Sequence, residues 1–336
     1  MADHVFEPGQ LRRIVVLGSG PVGLDLARAA LLRGIRLDVY LGERQAADTA
    51  TDGSLVVAQY RELEIPVHVT NDLKTHAGGP YDSAGADAMV FSFGSPYLIK
   101  RDLIDAYGGR VFNSHGAPLP EWRGGGGFSW RMLAGDRRGN TCFHVVTPGI
   151  DKGDIVFQRA YRFPEEARFP IDWMTLADRE AGQAAADFVE HLYEGKPIER
   201  LAQDESQATY FPRLHTPTQA YIDWSWTAAA IESFVLAFSY PYPGARTLVG
   251  DREIVLMDCR AVAGPEFDHP FFDGLVYRIF DGKAFIAVSR GSIVVPLDAV
   301  RSDADLKVGD RLHTPRALLD KGLATRPIYT PAGLRS

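Results

Sequence analysis

The chain has few cysteines and no metal-ligand pattern. Only two cysteines, Cys142 and Cys259, occur among 336 residues, and both stand in apolar, strand-like contexts. We therefore expect two buried free thiols rather than a disulfide, which fits a reducing cytoplasm. No His and Cys residues have the spacing of metal ligands, so we expect no bound metal.

Long apolar runs and a basic excess are also missing. No run reaches the roughly 20 apolar residues that a membrane-spanning helix needs, and residues 1–10 lack the apolar region of a signal peptide. The formal net charge is −7, from 36 Lys and Arg against 43 Asp and Glu. Because nucleic-acid phosphates are bound by clustered Lys and Arg, we expect a cytoplasmic protein that binds neither nucleic acid nor membrane.

The N-terminal residues alternate between strand and helix patterns. Residues 13–17 form an unbroken apolar run, residues 24–34 an amphipathic helix that ends at a glycine, and residues 35–40 a second strand. This order predicts an α/β fold with a Rossmann-like parallel sheet. The length allows two domains.

A glycine-rich loop connects the first strand to the first helix. Gly18, Gly20 and Gly23 match the G-x-G-x-x-G pattern, and Asp38 or Glu43 stands where a ribose-binding acid is expected. One interpretation is an NAD(P)-binding oxidoreductase. The other is that the glycines only permit a tight turn and close packing of helix on strand, and the absence of a downstream hydride-transfer site favours this second interpretation.

Residues 112–157 gather polar groups of catalytic type. Asn113 and His115 lie two residues apart at the end of a predicted strand, so their side chains project to one face. A carboxamide can donate to a developing oxyanion, and an imidazole can move a proton near neutral pH. A tight loop then holds Asp151 and Asp154, either of which could stabilise the histidine by its charge. Spacing alone does not choose between the two acids.

The predicted strand at residues 88–93 runs into a Gly-Ser-Pro turn. In open α/β sheets, ligands bind beyond the carboxyl ends of the strands. The turn offers backbone groups to a flat polar ligand, with Tyr97 and Leu98 as apolar walls. The alternative is an ordinary connection between a strand and a helix.

Three separated motifs resemble the 10-formyltetrahydrofolate-dependent formyltransferases. They are Asn113-x-His115, the Leu-Pro-x-x-Arg-Gly of residues 119–124, and the Ile-Asp-x-Gly-Asp of residues 150–154. The resemblance implies N-formyl transfer with 10-formyltetrahydrofolate as co-substrate. It also implies that Asn113, His115 and Asp151 are catalytic, which resolves the choice of acid.

The same resemblance implies the binding residues. Those implied for the folate co-substrate are Ser92, Phe93, Gly94, Tyr97, Leu98, Ile150 and Asp151. Those implied for the amine substrate, on the loop where the chain departs from many relatives, are Arg123, Gly125 and Trp130.

The resemblance further implies a catalytic domain over residues 1–205 and a C-terminal domain with an OB-like β-barrel over residues 206–336. Residues 38–63 contain no Lys, whereas the tRNA-formylating relatives carry a basic loop in this region. We therefore expect a small-molecule acceptor, with a nucleotide-linked amino sugar first. Methionyl-tRNA, a hydroxy-ornithine-like amine, and water in a deformylase remain alternatives. A homodimer is compatible with the sequence, which contains no signal for an oligomeric state.

Overall fold

The N-terminal part of the chain is built on one seven-stranded sheet. The computed structural model describes residues 2–18, 20–49, 53–265, 267–303 and 305–335, so Ser19 of the glycine-rich loop lies outside the described residues. In spatial order the strands are Val67–Val69, Arg36–Leu41, Arg13–Gly18, Ala88–Phe93, Val111–His115, Arg138–Val145 and Ile155–Arg162. All are parallel except Arg138–Val145, which is antiparallel to both neighbours. The predicted parallel α/β sheet is confirmed, with one reversed strand.

Helices cover both faces of this sheet. They are Pro21–Leu32, Val56–Glu62, Arg101–Ala106 and Pro170–Tyr193. The helix Gly127–Ala134 packs instead against Pro170–Tyr193 and the C-terminal core. The long last helix packs on the sheet through Phe188, whose ring centroid lies 5.3 Å from that of Phe112 and 5.4 Å from that of Phe143. Such aromatic contacts stabilise beyond the area they bury. They fix the strand Val111–His115, which carries Asn113 and His115.

The C-terminal part contains two antiparallel four-stranded sheets around a second core. One sheet has the order Val300–Arg301, Arg252–Leu256, Ala245–Val249 and Leu312–His313. The other has the order Arg260–Val262, Gly291–Pro296, Lys283–Val288 and Val276–Phe280. The helix Ala228–Ala237 contributes to the same core. Two further α-helices of the described residues are Thr216–Gln219 and Arg316–Ala324. Three short strand pairs are Ala2–Asp3 with Ile198–Glu199, Arg123–Gly124 with Tyr210–Phe211, and Ile328–Thr330 with Gly333–Arg335.

Both cysteines are free and buried, as predicted. Among the residues that the structure describes, no helix is long and apolar enough to cross a membrane.

The glycine-rich loop is required by packing. A Cβ on Gly18 would lie 2.0 Å from the carbonyl oxygen of Phe93, and one on Gly23 would lie 2.1 Å from the hydroxyl of Tyr60. The absence of a side chain at Gly18 lets the first strand approach the turn after Ala88–Phe93, and its absence at Gly23 lets the helix Pro21–Leu32 approach Tyr60 of the helix Val56–Glu62. The glycines therefore have a structural reason that does not depend on a dinucleotide.

Gly18→Ala and Gly20→Ala separate packing from backbone strain. Both glycines have positive φ, 116° and 131°, but a Cβ on Gly20 would meet no described atom within 4 Å beyond its chain neighbours. We expect Gly18→Ala to lower the free energy of unfolding by about 2 kcal/mol more than Gly20→Ala, because only Gly18 clashes with backbone. Urea denaturation measures both, and equal losses would contradict the packing explanation.

Candidate active site

Three polar residues lie side by side across the central sheet. Asn113 stands opposite Ser92 in the parallel pairing and opposite His144 in the antiparallel pairing. The reversed strand Arg138–Val145 thereby brings His144 next to the predicted catalytic strand. Strand register alone assembles this row at the carboxyl edge of the sheet, where α/β proteins bind ligands.

His144 stands on a predicted apolar strand, where the sequence favours a structural histidine and leaves a substrate contact as the alternative; the structure places it in the candidate site. It is 3% exposed, and its Nδ1 donates to the carbonyl of Val145 at 3.0 Å. Its Nε2 lies 3.1 Å from Asn113 Nδ2 and 3.4 Å from Asp151 Oδ1. This contact holds the amide of Asn113 against the His144 ring. The signal in the sequence was a histidine inside an apolar strand, where a buried polar group needs partners.

His115 is held by a backbone carbonyl. Its Nε2 donates to the oxygen of Trp122 at 2.6 Å, whereas its Nδ1 lies 3.7 Å from Asp151 Oδ2. The neutral ring therefore carries its proton on Nε2, and Nδ1 keeps the lone pair that can accept a proton. Burial lowers the pKa of His115 below its ordinary 6.5, against the opposing charge of Asp151. The ring is thus neutral at neutral pH and available as a base.

Asp151 lies on a turn that places its carboxylate between the two histidines. Its φ is 51°, and its Oδ2 accepts the N–H of Gly124 at 2.8 Å. Gln203 Nε2 donates to the backbone carbonyl of Asp151 at 2.8 Å and to that of Gly153 at 2.7 Å. Burial alone would raise the pKa of Asp151, but hydrogen bonding to His144 and the other contacts lower it to about 2. The carboxylate is therefore ionised throughout the neutral range.

Asp154 does not take this position. Its backbone carbonyl accepts the N–H of Val145 at 2.9 Å. Of the two acids in the loop, the structure brings the carboxylate of Asp151 to both His115 and His144.

Two cavities meet at His115. The smaller, of about 470 Å³, lies between the turn after Ala88–Phe93 and the Asp151 loop. The larger, of about 680 Å³, extends toward the C-terminal part of the chain. Both are lined by Gly94, Ser114, His115, Gly124, Arg213 and Tyr329. A group held in one cavity can therefore meet a group held in the other beside the imidazole.

Most residues implied for the folate line the smaller cavity. These are Ser92, Gly94, Tyr97, Leu98, Ile150 and Asp151, whereas Phe93 lines the larger one. Leu98 is 81% exposed and Ile150 is 52% exposed. Two exposed apolar side chains on opposite walls of one cavity can cover a flat ligand. Tyr97 is fixed in the wall by donating its hydroxyl to the carbonyl of Thr70 at 2.7 Å.

Two of the three residues implied for the amine substrate line neither cavity. Arg123 is 4% exposed, and its guanidinium binds Gln203 and the carboxylate of Glu205. Trp130 donates its indole N–H to the carbonyl of Pro212 at 2.8 Å. Both residues instead hold the segment at residues 203–213 against residues 123–130.

Gly125 does reach the site, and its lack of a side chain makes room for an arginine. A Cβ on Gly125 would lie 2.4 Å from Arg213 Cγ. Arg213 forms an ion pair with none of the described carboxylates, although its guanidinium lies 5.6 Å from the ring of Tyr329. Burial and repulsion from Arg44 lower the pKa of Arg213. Arg213, without a carboxylate partner in the described part of the chain, therefore lines both cavities.

Comparison with known proteins relates both the N-terminal and the C-terminal part of the chain to formyltransferases. The family model described as formyl transferase matches residues 41–167, and the model of the formyl transferase C-terminal domain matches residues 215–302. The chain is 27% identical over 237 residues to a methionyl-tRNA formyltransferase of Cereibacter sphaeroides, covering 70% of this chain and 76% of the relative.

Solved structures share the architecture. The sugar 3N-formyltransferase WlaRD, studied with dTDP and 5-N-formyl-THF, has a TM-score of 0.63 at 14% identity over 88% of this chain and 99% of that one. The N-formyltransferase of Helicobacter canadensis, in complex with folinic acid and dTDP-3-aminofucose, has a TM-score of 0.65 at 13% identity over 85% and 99%. At this identity the likeness concerns the fold alone. With its N-terminal and C-terminal models matched in order along the sequence, the chain belongs to the formyltransferase family of enzymes.

Proposed function

We propose that this protein transfers the formyl group of 10-formyltetrahydrofolate to the primary amine of a nucleotide-linked amino sugar. The observation that carries the proposal is the meeting of two cavities at His115, beside Asn113 and the ionised Asp151. Formyl transfer needs a donor and an acceptor brought together at one base and one oxyanion donor.

The smaller cavity suits the folate. Its exposed Leu98 and Ile150 offer apolar faces to a flat ring system, and the backbone of the turn at residues 94–97 offers polar groups. The co-substrate supplies an activated formyl group, which this arrangement directs toward Asn113 and His115.

The larger cavity suits an acceptor with a negative charge. Its volume of about 680 Å³ is within the usual range of small-molecule sites. Arg213, which lacks a carboxylate partner among the described residues, can pair with a phosphate. The crystal structure of the Helicobacter canadensis N-formyltransferase contains dTDP-3-aminofucose, a nucleotide-linked amino sugar.

Asn113, His115 and Asp151 can together stabilise the charge that develops and move the proton during the reaction. Asn113 donates an amide N–H to the negative charge that develops on the formyl oxygen, a contribution of about 3 kcal/mol. His115 accepts at Nδ1 the proton that the attacking amine loses, and Asp151 stabilises the resulting imidazolium. The new bond joins the acceptor nitrogen to the formyl carbon. As the bond to the folate nitrogen breaks, His115 returns the proton to that nitrogen.

A tRNA acceptor is the second candidate, and the similarity to a methionyl-tRNA formyltransferase favours it. Against it stands the segment at residues 38–63, which has two arginines, no lysine and several acids. A surface that holds tRNA phosphates needs clustered positive charge. An oxidoreductase gains no support, because Gly18 and Gly23 are explained by packing.

Leu98→Ala tests the placement of the folate. We expect the KM for 10-formyltetrahydrofolate to rise about 5-fold with little change in kcat, because about 1 kcal/mol of apolar burial is lost. Leu323→Ala is the control, since Leu323 is 82% exposed and lines neither cavity. Steady-state kinetics of both variants decides, and a wild-type KM for Leu98→Ala would contradict the placement.

A panel of acceptors tests the reaction itself. We expect 10-formyltetrahydrofolate to formylate at least one of dTDP-, UDP- or GDP-linked amino sugars, and to leave charged initiator tRNA and hydroxy-ornithine unchanged. His115→Ala should fold and lose this activity, whereas His191→Ala should keep it, because His191 donates to the Pro197 carbonyl at a helix end and lines neither cavity. Formylation of tRNA alone, or release of formate to water alone, would overturn the proposed acceptor.

A further inference from the structure

Arg131 is a fully buried cation without a carboxylate partner. It is 0% exposed, and no described carboxylate lies within ion-pair distance of it. Its guanidinium carbon lies 5.3 Å from the ring centroid of Phe163 and 5.4 Å from that of Trp173, and these rings stack at 4.0 Å. Its Nε and Nη2 have no hydrogen-bond partner among the described residues. Burying an incompletely paired charge is costly, and such groups cluster at functional sites.

The hydrogen bond of this guanidinium goes to the catalytic loop. Arg131 Nη1 donates to the carbonyl of Gly116 at 3.2 Å, and Gly116 directly follows His115. The other end of the loop is Trp122, whose carbonyl accepts from His115 Nε2. Arg131 therefore contacts the backbone directly after His115, the proposed base.

The same helix also holds the far end of the loop. Trp122 donates its indole N–H to Asp136 Oδ2 at 3.0 Å, and the backbone N–H of Asp136 donates to the carbonyl of Arg131 at 2.9 Å. The helix Gly127–Ala134 and its C-terminal turn thus hold the loop at residues 115–122 from both ends.

The charge of Arg131 also acts on the imidazole. The charged and titratable groups that face His115 are Asp151, His144 and Arg131. Burial lowers the pKa of His115 most, and the charges of His144 and Arg131 lower it further. Asp151 and the Trp122 carbonyl act in the opposite direction. The charge of Arg131 therefore opposes that of Asp151 and favours the neutral base.

We propose that Arg131 is a positioning residue for formyl transfer, which fixes the loop at residues 115–122 through the Gly116 carbonyl and places a positive charge beside the backbone that follows His115. The inference rests on the proposed function of His115 as the base. It assigns a role to a side chain that lines neither cavity. The aromatic pair Phe163 and Trp173 lets the cation remain buried, since a guanidinium is attracted to aromatic faces.

Two substitutions separate the two effects. Arg131→Met removes the charge, so the pKa of His115 should rise and the acid limb of kcat/KM should move to higher pH. Arg131→Lys keeps the charge but loses the planar fork that reaches Gly116, so the limb should stay near its wild-type position while kcat falls about 10-fold or more. The KM for either substrate should change little, because Arg131 touches neither cavity.

Arg137→Met is the matched control. Arg137 lies 5.7 Å from the same Trp173 ring, but it donates to the carbonyls of Pro164 and Ala167 and does not contact the His115 loop. It should lower stability without moving the pH profile. Dividing each variant's profile by that of the wild type cancels the titration of the acceptor amine, which all variants share.

Titration of the His115 ring by NMR distinguishes failure of the proposed function from failure of the proposal for Arg131. If the wild type transfers no formyl group, the proposed function fails, yet a higher His115 pKa in Arg131→Met would still support the electrostatic role. If the wild type is active and Arg131→Met titrates and turns over like the wild type, the proposal for Arg131 is overturned. If Arg131→Met does not fold, Arg131→Lys decides through its kcat, and wild-type kcat in that variant contradicts the positioning role.

Discussion

The site depends on one buried carboxylate, that of Asp151. Its side chain is 13% exposed, and it stands between His115 Nδ1 and His144 Nε2 while accepting the N–H of Gly124. The N–H of Gly124 donates to this carboxylate, and a buried charge needs such a donor. Through Gly124 and its two neighbouring rings, the carboxylate connects His115, His144 and the loop between the two cavities. The chemistry of the site is therefore one coupled network rather than three independent side chains.

Residues 203–213, which follow the long helix Pro170–Tyr193 in the sequence, complete this network. Gln203 binds the backbone on both sides of Lys152, Tyr210–Phe211 pairs with Arg123–Gly124, and Arg213 lies over Gly125. The central sheet carries Asn113 and His115, whereas the segment at residues 203–213 packs on the neighbouring loops and brings Arg213 to both cavities. In such an arrangement the acceptor can change through the segment while the reaction stays the same.

Much of the fold and part of the site could be predicted from the sequence. Local patterns located the strands and the long helix, and the spacing of Asn113 and His115 reports that they share a face of one strand. The place of His144 beside Asn113 could not be predicted, because it comes from pairing across the sheet and single-strand patterns do not encode partners. The bond from His115 to Trp122 uses a backbone carbonyl, which any residue provides. Arg123 belongs to the motif of residues 119–124, but a motif does not indicate whether a side chain faces a ligand or the protein. In the structure Arg123 binds Gln203 and Glu205.

The pH dependence of kcat/KM in Asp151→Asn, relative to wild type, tests the account most directly. Because the charge of Asp151 raises the pKa of His115 against the effect of burial, the wild-type acid limb should lie below 6.5 once the titration of the acceptor amine is accounted for. The asparagine variant should move it further down and lower kcat at least about 10-fold, since the imidazolium is no longer stabilised. An acid limb that stays in place or moves up would contradict the role of Asp151 as the charge that supports His115.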